Sequence, residues 1–423
     1  MNLPDFSNIE IRDYVPAKRI LDNGIQTYCF ANHDSEAVFM KFVFYNAGTI
    51  SQDKFFVSSL TKTQLNKNTK DYSYKELANE IDFFGLNYSP LTSNERTTLG
   101  FSFLSRYTKN IMPLLQQIIL FPRFSQDTLD TTISNLRQNY LLKLQQTNFL
   151  AQKYFVQNLY GDENPYGNFA KVEDYDKVTK EDLKEFWQRY YSSDQCYILL
   201  AGDIHEDFYD LLNFYFGMVF NIPGNGGKEM KTIPPFKESK GIIKNSLSSA
   251  VQSSIVIGRI LPKVDSEDYI PLTVLNCLFG GYFNSRLMSN IREEKGYTYG
   301  IDSALVPFNY GNTMFIVSDV AMDKTDATIE EVFKEMQRLQ NEKVSQEELS
   351  MVKNYMTGEF LRATDGVAEI SENYDYIIRF ELREDYNSYM LEEIRKTDAE
   401  SLMLLAQKYL KPEDFLASVV GKE

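Results

Sequence analysis

Alternating apolar and polar positions mark the strands of this chain. Val38-Phe-Met-Lys-Phe-Val-Phe-Tyr45 and Ser253-Ser-Ile-Val-Ile-Gly258 are rich in β-branched and aromatic residues, and Thr97 to Ser105 alternates with period two. Two short apolar runs, Ile198-Leu-Leu-Ala-Gly202 and Ala417-Ser-Val-Val-Gly421, read as buried strands. Helix starts are signalled by Ser125, Ser345, Thr179 and Thr397. Each is a hydroxyl residue followed by acidic residues suited to a first turn, which predicts helices from about Gln126, Glu347, Glu181 and Glu400. A further helix is predicted after Gly280-Gly281, read as a turn: Leu287, Met288 and Ile291 fall on one face and Arg286, Arg292, Glu293 and Glu294 on the other. Gly296 suits a left-handed helix stop, and Tyr297, Tyr299 and Ile301 then alternate as a strand.

These signals occur twice. Arg123-Phe-Ser-Gln-Asp-Thr-Leu129 is echoed by Lys343-Val-Ser-Gln-Glu-Glu-Leu349, Val178–Leu183 by Lys396–Leu402, and the two closing strands by one another, all at nearly one offset. A repeat of about half the chain predicts two copies of one unit. The segment Asn221-Ile-Pro-Gly-Asn-Gly-Gly-Lys-Glu-Met-Lys-Thr-Ile-Pro-Pro-Phe236 is the most Pro/Gly-dense and reads as a linker. The expected organisation is a first domain over 1–220, a linker over 221–240 and a second domain over 241–423. Strand pairs mixed with helix pairs predict an α+β fold, each domain an antiparallel sheet with helices packed on one face.

Composition narrows the function. With 423 residues, 43% hydrophobic and 24% charged, the chain has the mixture of a soluble globular protein. No run approaches a bilayer span, and residues 1–10 carry no basic region followed by an apolar core, so neither a membrane segment nor a secretory signal is expected. A net charge of −15 argues against nucleic acid and favours basic peptides or a basic partner surface. Cys29, Cys196 and Cys277 each sit among apolar residues and read as buried free thiols. That favours a reducing, cytoplasmic compartment, with the periplasm open if a signal peptide has been removed. Glu76 and Glu80, one helical turn apart, read as a solvated face. Most of the abundant tyrosine and phenylalanine is expected in the core.

The stretch Phe279 to Gly300 carries a specific resemblance. Its Gly280-Gly281, Ser285-Arg286-Leu287 and Arg292-Glu-Glu-Lys-Gly-Tyr-Thr-Tyr299 resemble the C-terminal half of the pitrilysin/insulinase (M16) zinc peptidase family, in its processing-peptidase branch. The resemblance implies the LuxS/M16-like metallohydrolase fold over the whole chain. In that family the Arg, and the Tyr seven residues on, bind and polarise the scissile carbonyl, which implies the same roles for Arg292 and Tyr299. A guanidinium and a phenol fixed beside a developing oxyanion suit that chemistry. Spacing alone is equally met by a solvated helix-end cation and an amphipathic strand tyrosine. Tyr297 competes with Tyr299 because both should face one side of the strand. Gly280 and Gly281 would let a substrate backbone approach closely.

The first half departs from the family pattern. The expected His-x-x-Glu-His falls at Ser59-Leu-Thr-Lys-Thr63, so Ser59, Lys62 and Thr63 replace the ligands and base. A third ligand should lie near Asn139 or Tyr140, yet Thr131 to Gly161 holds no Asp or Glu. The only histidines, His33 and His205, stand far apart in sequence and are expected to stay in separate loops. No metal is therefore expected in this chain. The resemblance implies the non-zinc subunit of a heterodimeric metalloendopeptidase, whose partner bears His-x-x-Glu-His and zinc and which acts on peptides. The alternative is a non-catalytic peptide-binding or scaffold protein of the same fold.

Overall fold

The computed structural model describes residues 13–220 and 231–422. Residues 1–10, read above for a signal, and the first half of the linker lie outside the described residues. Residues 231–240 run as irregular chain into the second half.

Among the described residues the strands follow in order: β1 (Ala17–Ile20), β2 (Gln26–Ala31), β3 (Ala37–Tyr45), β4 (Asn68–Thr69), β5 (Asn87–Thr92), β6 (Arg96–Leu104), β7 (Pro122–Arg123), β8 (Cys196–Gly202), β9 (Gly241–Ser246), β10 (Ser253–Leu261), β11 (Thr298–Phe308), β12 (Gly311–Val320) and β13 (Leu416–Gly421). The first sheet has the order β1-β2-β8-β3-β6-β5 and the second β11-β12-β10-β13-β9, while β4 and β7 form a separate ribbon. Read from opposite ends, β2-β8-β3-β6-β5 and β9-β13-β10-β12-β11 share one topology. Each contains one parallel pair, β2 with β8 and β9 with β13, and is otherwise antiparallel. The repeat read from the helix caps is thus a repeat of architecture.

The strand pattern decides which side chains meet. Along β3, Val38, Met40, Phe42 and Phe44 bury against helices of the first half, joined by Phe216 and Leu115. Alternate residues of β8 do the same on one face, but Tyr197, Leu199 and Ala201 turn to the other. There they meet Ile370, Tyr374 and Ile377 of the helix Val367–Arg379, which belongs to the second half. The reciprocal contact is made by the first half's helix Thr147–Tyr160, whose Leu150, Phe155 and Leu159 pack with Val256, Leu416 and Val420 of β10 and β13. Gly258 leaves room for this helix, because a Cβ there would lie 2.8 Å from Phe155 Cζ. Each sheet therefore has its own helices on one face and a helix lent by the other half on the opposite face. This is why β8 and β13 read as continuous apolar runs: both faces are covered.

Charge pairing fixes the same contact. The Arg96 guanidinium donates to both carboxylate oxygens of Asp375, at 2.9 and 2.8 Å, and Arg379 donates to Glu95 at 2.8 Å. Glu95 and Asp375 are buried, and both also accept from tyrosines, Tyr166 and Tyr197 respectively. Neighbouring residues on β6 and its turn thus pair crosswise with residues one helical turn apart on the lent helix.

The predicted cap positions stand with one shift, although the Ser125 hydroxyl makes no bond to the helix N–H groups and lies instead 2.7 Å from Thr128 Oγ1. Helices begin at Gln126, Gln346, Lys180 and Ala399. The last is capped by Asp398, whose carboxylate accepts from the Ser401 N–H at 2.7 Å, whereas the Thr397 hydroxyl donates to the carbonyl of Glu393. A carboxylate at the N-terminus outcompetes a hydroxyl there. Glu76 has a specific role as the acid of a capping box with Ser73. All three cysteines are free and buried, and burial pushes their thiols above the ordinary range. Among the described residues no helix is long and apolar enough to cross a membrane.

Candidate functional site

The helix Tyr269–Asn276 continues as a π-helical segment, Cys277–Gly281, so Gly280 and Gly281 end a helix and do not form a turn ahead of one. Gly280 is buried: a Cβ would lie 2.6 Å from Ser303 Cβ on β11 and 3.0 Å from Leu287 Cδ1. Its glycine lets this segment seat against the sheet. Gly281 is exposed.

A second π-helical segment, Met288–Glu294, carries Arg292. Leu287 and Ile291 are fully buried beneath it. Arg286 makes a two-pronged pair with Glu348, at 2.8 and 2.9 Å, and Asn290 donates to Glu335 at 2.6 Å and Glu331 at 3.2 Å. These contacts tie the segment to the helices Thr325–Asn341 and Gln346–Arg362. Gly296 adopts φ +63 and ends the helix as predicted. Wide helical turns of this kind recur at functional sites, and two of them flank this one.

Arg292 lies with its guanidinium 4.8 Å from the ring centre of the exposed Phe283, and among the described residues it makes no ion pair. Tyr299 is 100% exposed on the edge strand β11. Tyr297 is half-buried, and Lys324 Nζ stands 5.8 Å from its ring centre. The expectation that Tyr297 and Tyr299 share one side of a strand fails because β11 begins at Thr298, so Tyr297 lies ahead of it, and the strand is irregular at its start. Thr298 pairs with Val320 and Ile301 with Ser318, so β11 holds one extra residue there, a β-bulge. The Thr298 hydroxyl pins it, accepting from the Gly300 N–H at 3.1 Å and lying 2.7 Å from the Asp319 carbonyl. Tyr297, ahead of the strand, and Tyr299, within the bulge, thus stand in different surroundings, and Tyr299 is in solvent.

In the first half, Ser59, Lys62 and Thr63 fall on the helix Val57–Gln64. Ser59 donates to the Phe56 carbonyl at 3.0 Å and Thr63 to the Ser59 carbonyl at 2.8 Å, so both hydroxyls are spent on the helix itself. Burial holds the Lys62 amine below its ordinary pKa. Hydroxyls committed to backbone and an ammonium are not zinc donors, and this helix does not fit the family's metal. Tyr140, on the helix expected to bear a third ligand, donates to the Ala170 carbonyl at 2.6 Å. Phe56, at φ +70, stacks flat on Tyr175 with ring centres 3.7 Å apart. Phe56, Ser59, Tyr140 and Tyr175 line a cleft of about 1200 Å³ that also takes in Val306 and Phe308 of the second half. Arg292, Tyr297 and Tyr299 do not line this cleft.

The histidines overturn their expectation. His33 Nδ1 lies 3.0 Å and His205 Nε2 2.9 Å from the same oxygen of Asp203, with the two rings stacked 4.4 Å apart. They converge because β2 and β8 are parallel neighbours and Ala31 pairs with Gly202, so the loops after both strands leave side by side. Strand pairing across some 170 positions was the missing signal, and local sequence patterns do not carry it.

Comparison with known proteins places the family and the fold. Residues 57–162 match the insulinase family (peptidase family M16), and residues 177–356 match the peptidase M16 inactive domain. The chain is similar to the non-peptidase homolog YmxG of Helicobacter pylori, 22% identical over 400 residues, covering 93% of this chain and 90% of that protein. It is 26% identical over 203 residues to mitochondrial-processing peptidase subunit alpha-1 of Dictyostelium discoideum, covering 47% of this chain and 30% of that protein. The crystal structure of a peptidase M16 inactive domain from Pseudomonas fluorescens superposes with a TM-score of 0.87 at 19% identity, covering 96% of this chain and 98% of that one.

Proposed function

Because this chain belongs to the insulinase family of peptidases, family M16, we propose that it is the catalytically incomplete subunit of a heterodimeric peptidase. The observation that carries the reading is a contrast within one chain. The helix at the family's zinc position bears Ser59, Lys62 and Thr63, while Arg292 and Tyr299 keep the family's spacing, one unpaired and the other fully exposed. A guanidinium without an ion-pair partner among the described residues and a fully exposed phenol are suited to completing another chain's site. The similarity to a named subunit of the mitochondrial-processing peptidase supports a two-chain arrangement.

In this proposal Arg292 and Tyr299 hold and polarise the carbonyl of the scissile peptide. Their positive charge and O–H favour the oxyanion that develops in the transition state over the neutral carbonyl. The anchors from Arg286 to Glu348 and from Asn290 to Glu335 position Arg292 before substrate arrives, so little reorganisation is needed during reaction. Gly281, with no side chain in the way, allows a peptide backbone to run close by. The zinc and the hydrolytic water belong to a partner subunit bearing His-x-x-Glu-His.

The test mixes the purified chain with such a zinc-bearing subunit and follows peptide cleavage. Arg292→Ala is expected to lower kcat by about 10²–10³, the loss typical for an oxyanion donor. A mutant pair that cleaves as fast as the wild-type pair refutes the role. A pair that binds peptide without cleaving it points to the peptide-binding scaffold instead.

A further inference from the structure

We infer that His33, Asp203 and His205 form a surface site for one divalent transition-metal ion of the zinc type. The three ligand atoms lie within 4.8 Å of one another, and both imidazole nitrogens are turned onto one carboxylate oxygen. Two imidazoles and a carboxylate are a borderline donor set that suits Zn²⁺ and excludes preference for Ca²⁺ or Mg²⁺.

The distances are close to what coordination needs. Metal–ligand bonds near 2.0–2.2 Å in tetrahedral geometry put neighbouring donor atoms about 3.3 Å apart. The present separations from Asp203 are 3.0 and 2.9 Å, with the imidazole N–H groups donating to the carboxylate. Replacing those two protons by one cation requires each imidazole to move from the carboxylate oxygen by only a few tenths of an ångström, while the two imidazoles, within 4.8 Å of each other, swing onto the shared ion. Both histidines are exposed enough to move, with side chains 53% and 60% exposed, so water has access to the site.

The support behind the donors is built into the fold. Asp203 is largely shielded, and its N–H donates to the Ala37 carbonyl at 2.9 Å. A hydrogen bond from Ser105, and then one from His33, hold its carboxyl below the usual carboxylate range, so it stands ionised. Asn32 N–H donates to the Gly202 carbonyl at 2.8 Å and ties the His33 loop to the His205 loop. His205 stands at the N-cap position of the helix Glu206–Leu212 without a side-chain cap bond; the helix dipole there disfavours a cation, and Asp207 in the first turn opposes that field, Glu206 being paired with Arg19 at 2.6 Å. The chain has only two histidines among 423 residues, and both are here. This site shares no residue with Ser59–Thr63 or with Arg292 and Tyr299, and it stands whether or not the proposed subunit role does.

The test uses the full chain without any histidine tag, treated with chelator and titrated with Zn²⁺ by calorimetry and with Co²⁺ by visible absorption. One ion per chain is expected, together with the intense visible band of four-coordinate Co²⁺. His33→Gln and His205→Gln are each expected to weaken binding by about tenfold or more. Both side chains are exposed, so the variants should keep the circular dichroism of the parent. Absence of binding by the wild-type chain overturns the inference. So does either histidine variant binding as tightly as wild type.

Discussion

Tyr297 and Tyr299 are two residues apart, and the start of β11 falls between them, with a bulge immediately after it. Period-two reasoning assigns both to one face and leaves the choice between them open. A bulge is set by how β11 pairs with β12 and by the Thr298 hydroxyl, and no residue pattern in the sequence announces it. If Tyr299 is the carbonyl-polarising phenol, Tyr299→Phe in the mixed two-chain assay should lower kcat by about 10²–10³. Tyr297→Phe should leave it near wild type, because that ring is half-buried before the strand. Equal losses from the two variants would mean that the bulge does not decide the role. The same limit explains the histidines: residue type was visible in sequence, but adjacency depended on Ala31 pairing with Gly202. Gly280 is a third case. Its glycine read as room for substrate, and the structure supplies a packing reason in Ser303 and Leu287.

At the scale of elements the sequence was far more informative. Strands at Val38–Tyr45 and 97–105 and helix starts near Gln126 and Lys180 follow from alternation and capping, both local effects. What stayed hidden is which sheet each helix covers. The helix Val367–Arg379 has one apolar stripe, and nothing in the stripe says that it packs on a sheet far upstream in the first half. Its Asp375 makes the assignment costly to break. The carboxylate side chain is 5% exposed and faces Arg96, Tyr197 and Lys41. Asp375→Ala strands a buried guanidinium and should destabilise the fold by about 3–5 kcal/mol. The double variant Arg96→Met with Asp375→Leu removes both charges and should recover most of that loss. Urea unfolding measures both, and a double variant as unstable as the single would show that packing, not charge desolvation, dominates this contact.

For the whole molecule, the exchanged helices bear on cooperativity. Chains of this length ordinarily unfold domain by domain, each half with its own midpoint. Here neither sheet keeps both faces covered if the other half opens: loss of Val367–Arg379 bares Tyr197, Leu199 and Ala201, and loss of Thr147–Tyr160 bares Val256, Leu416 and Val420. Each such apolar side chain exposed costs about 1.5–3 kcal/mol, so partial unfolding is penalised severalfold over. The two halves should therefore unfold in a single transition. Trp187, the only tryptophan, reports on the first half, where its indole N–H donates to the Ile119 carbonyl at 3.0 Å. Its fluorescence midpoint in urea should coincide with that of far-ultraviolet circular dichroism, which samples both halves. Asp375→Ala, a change in the second half, should move both midpoints together. Two separated transitions, or a Trp187 midpoint indifferent to Asp375→Ala, would show that the lent helices detach before the sheets unfold.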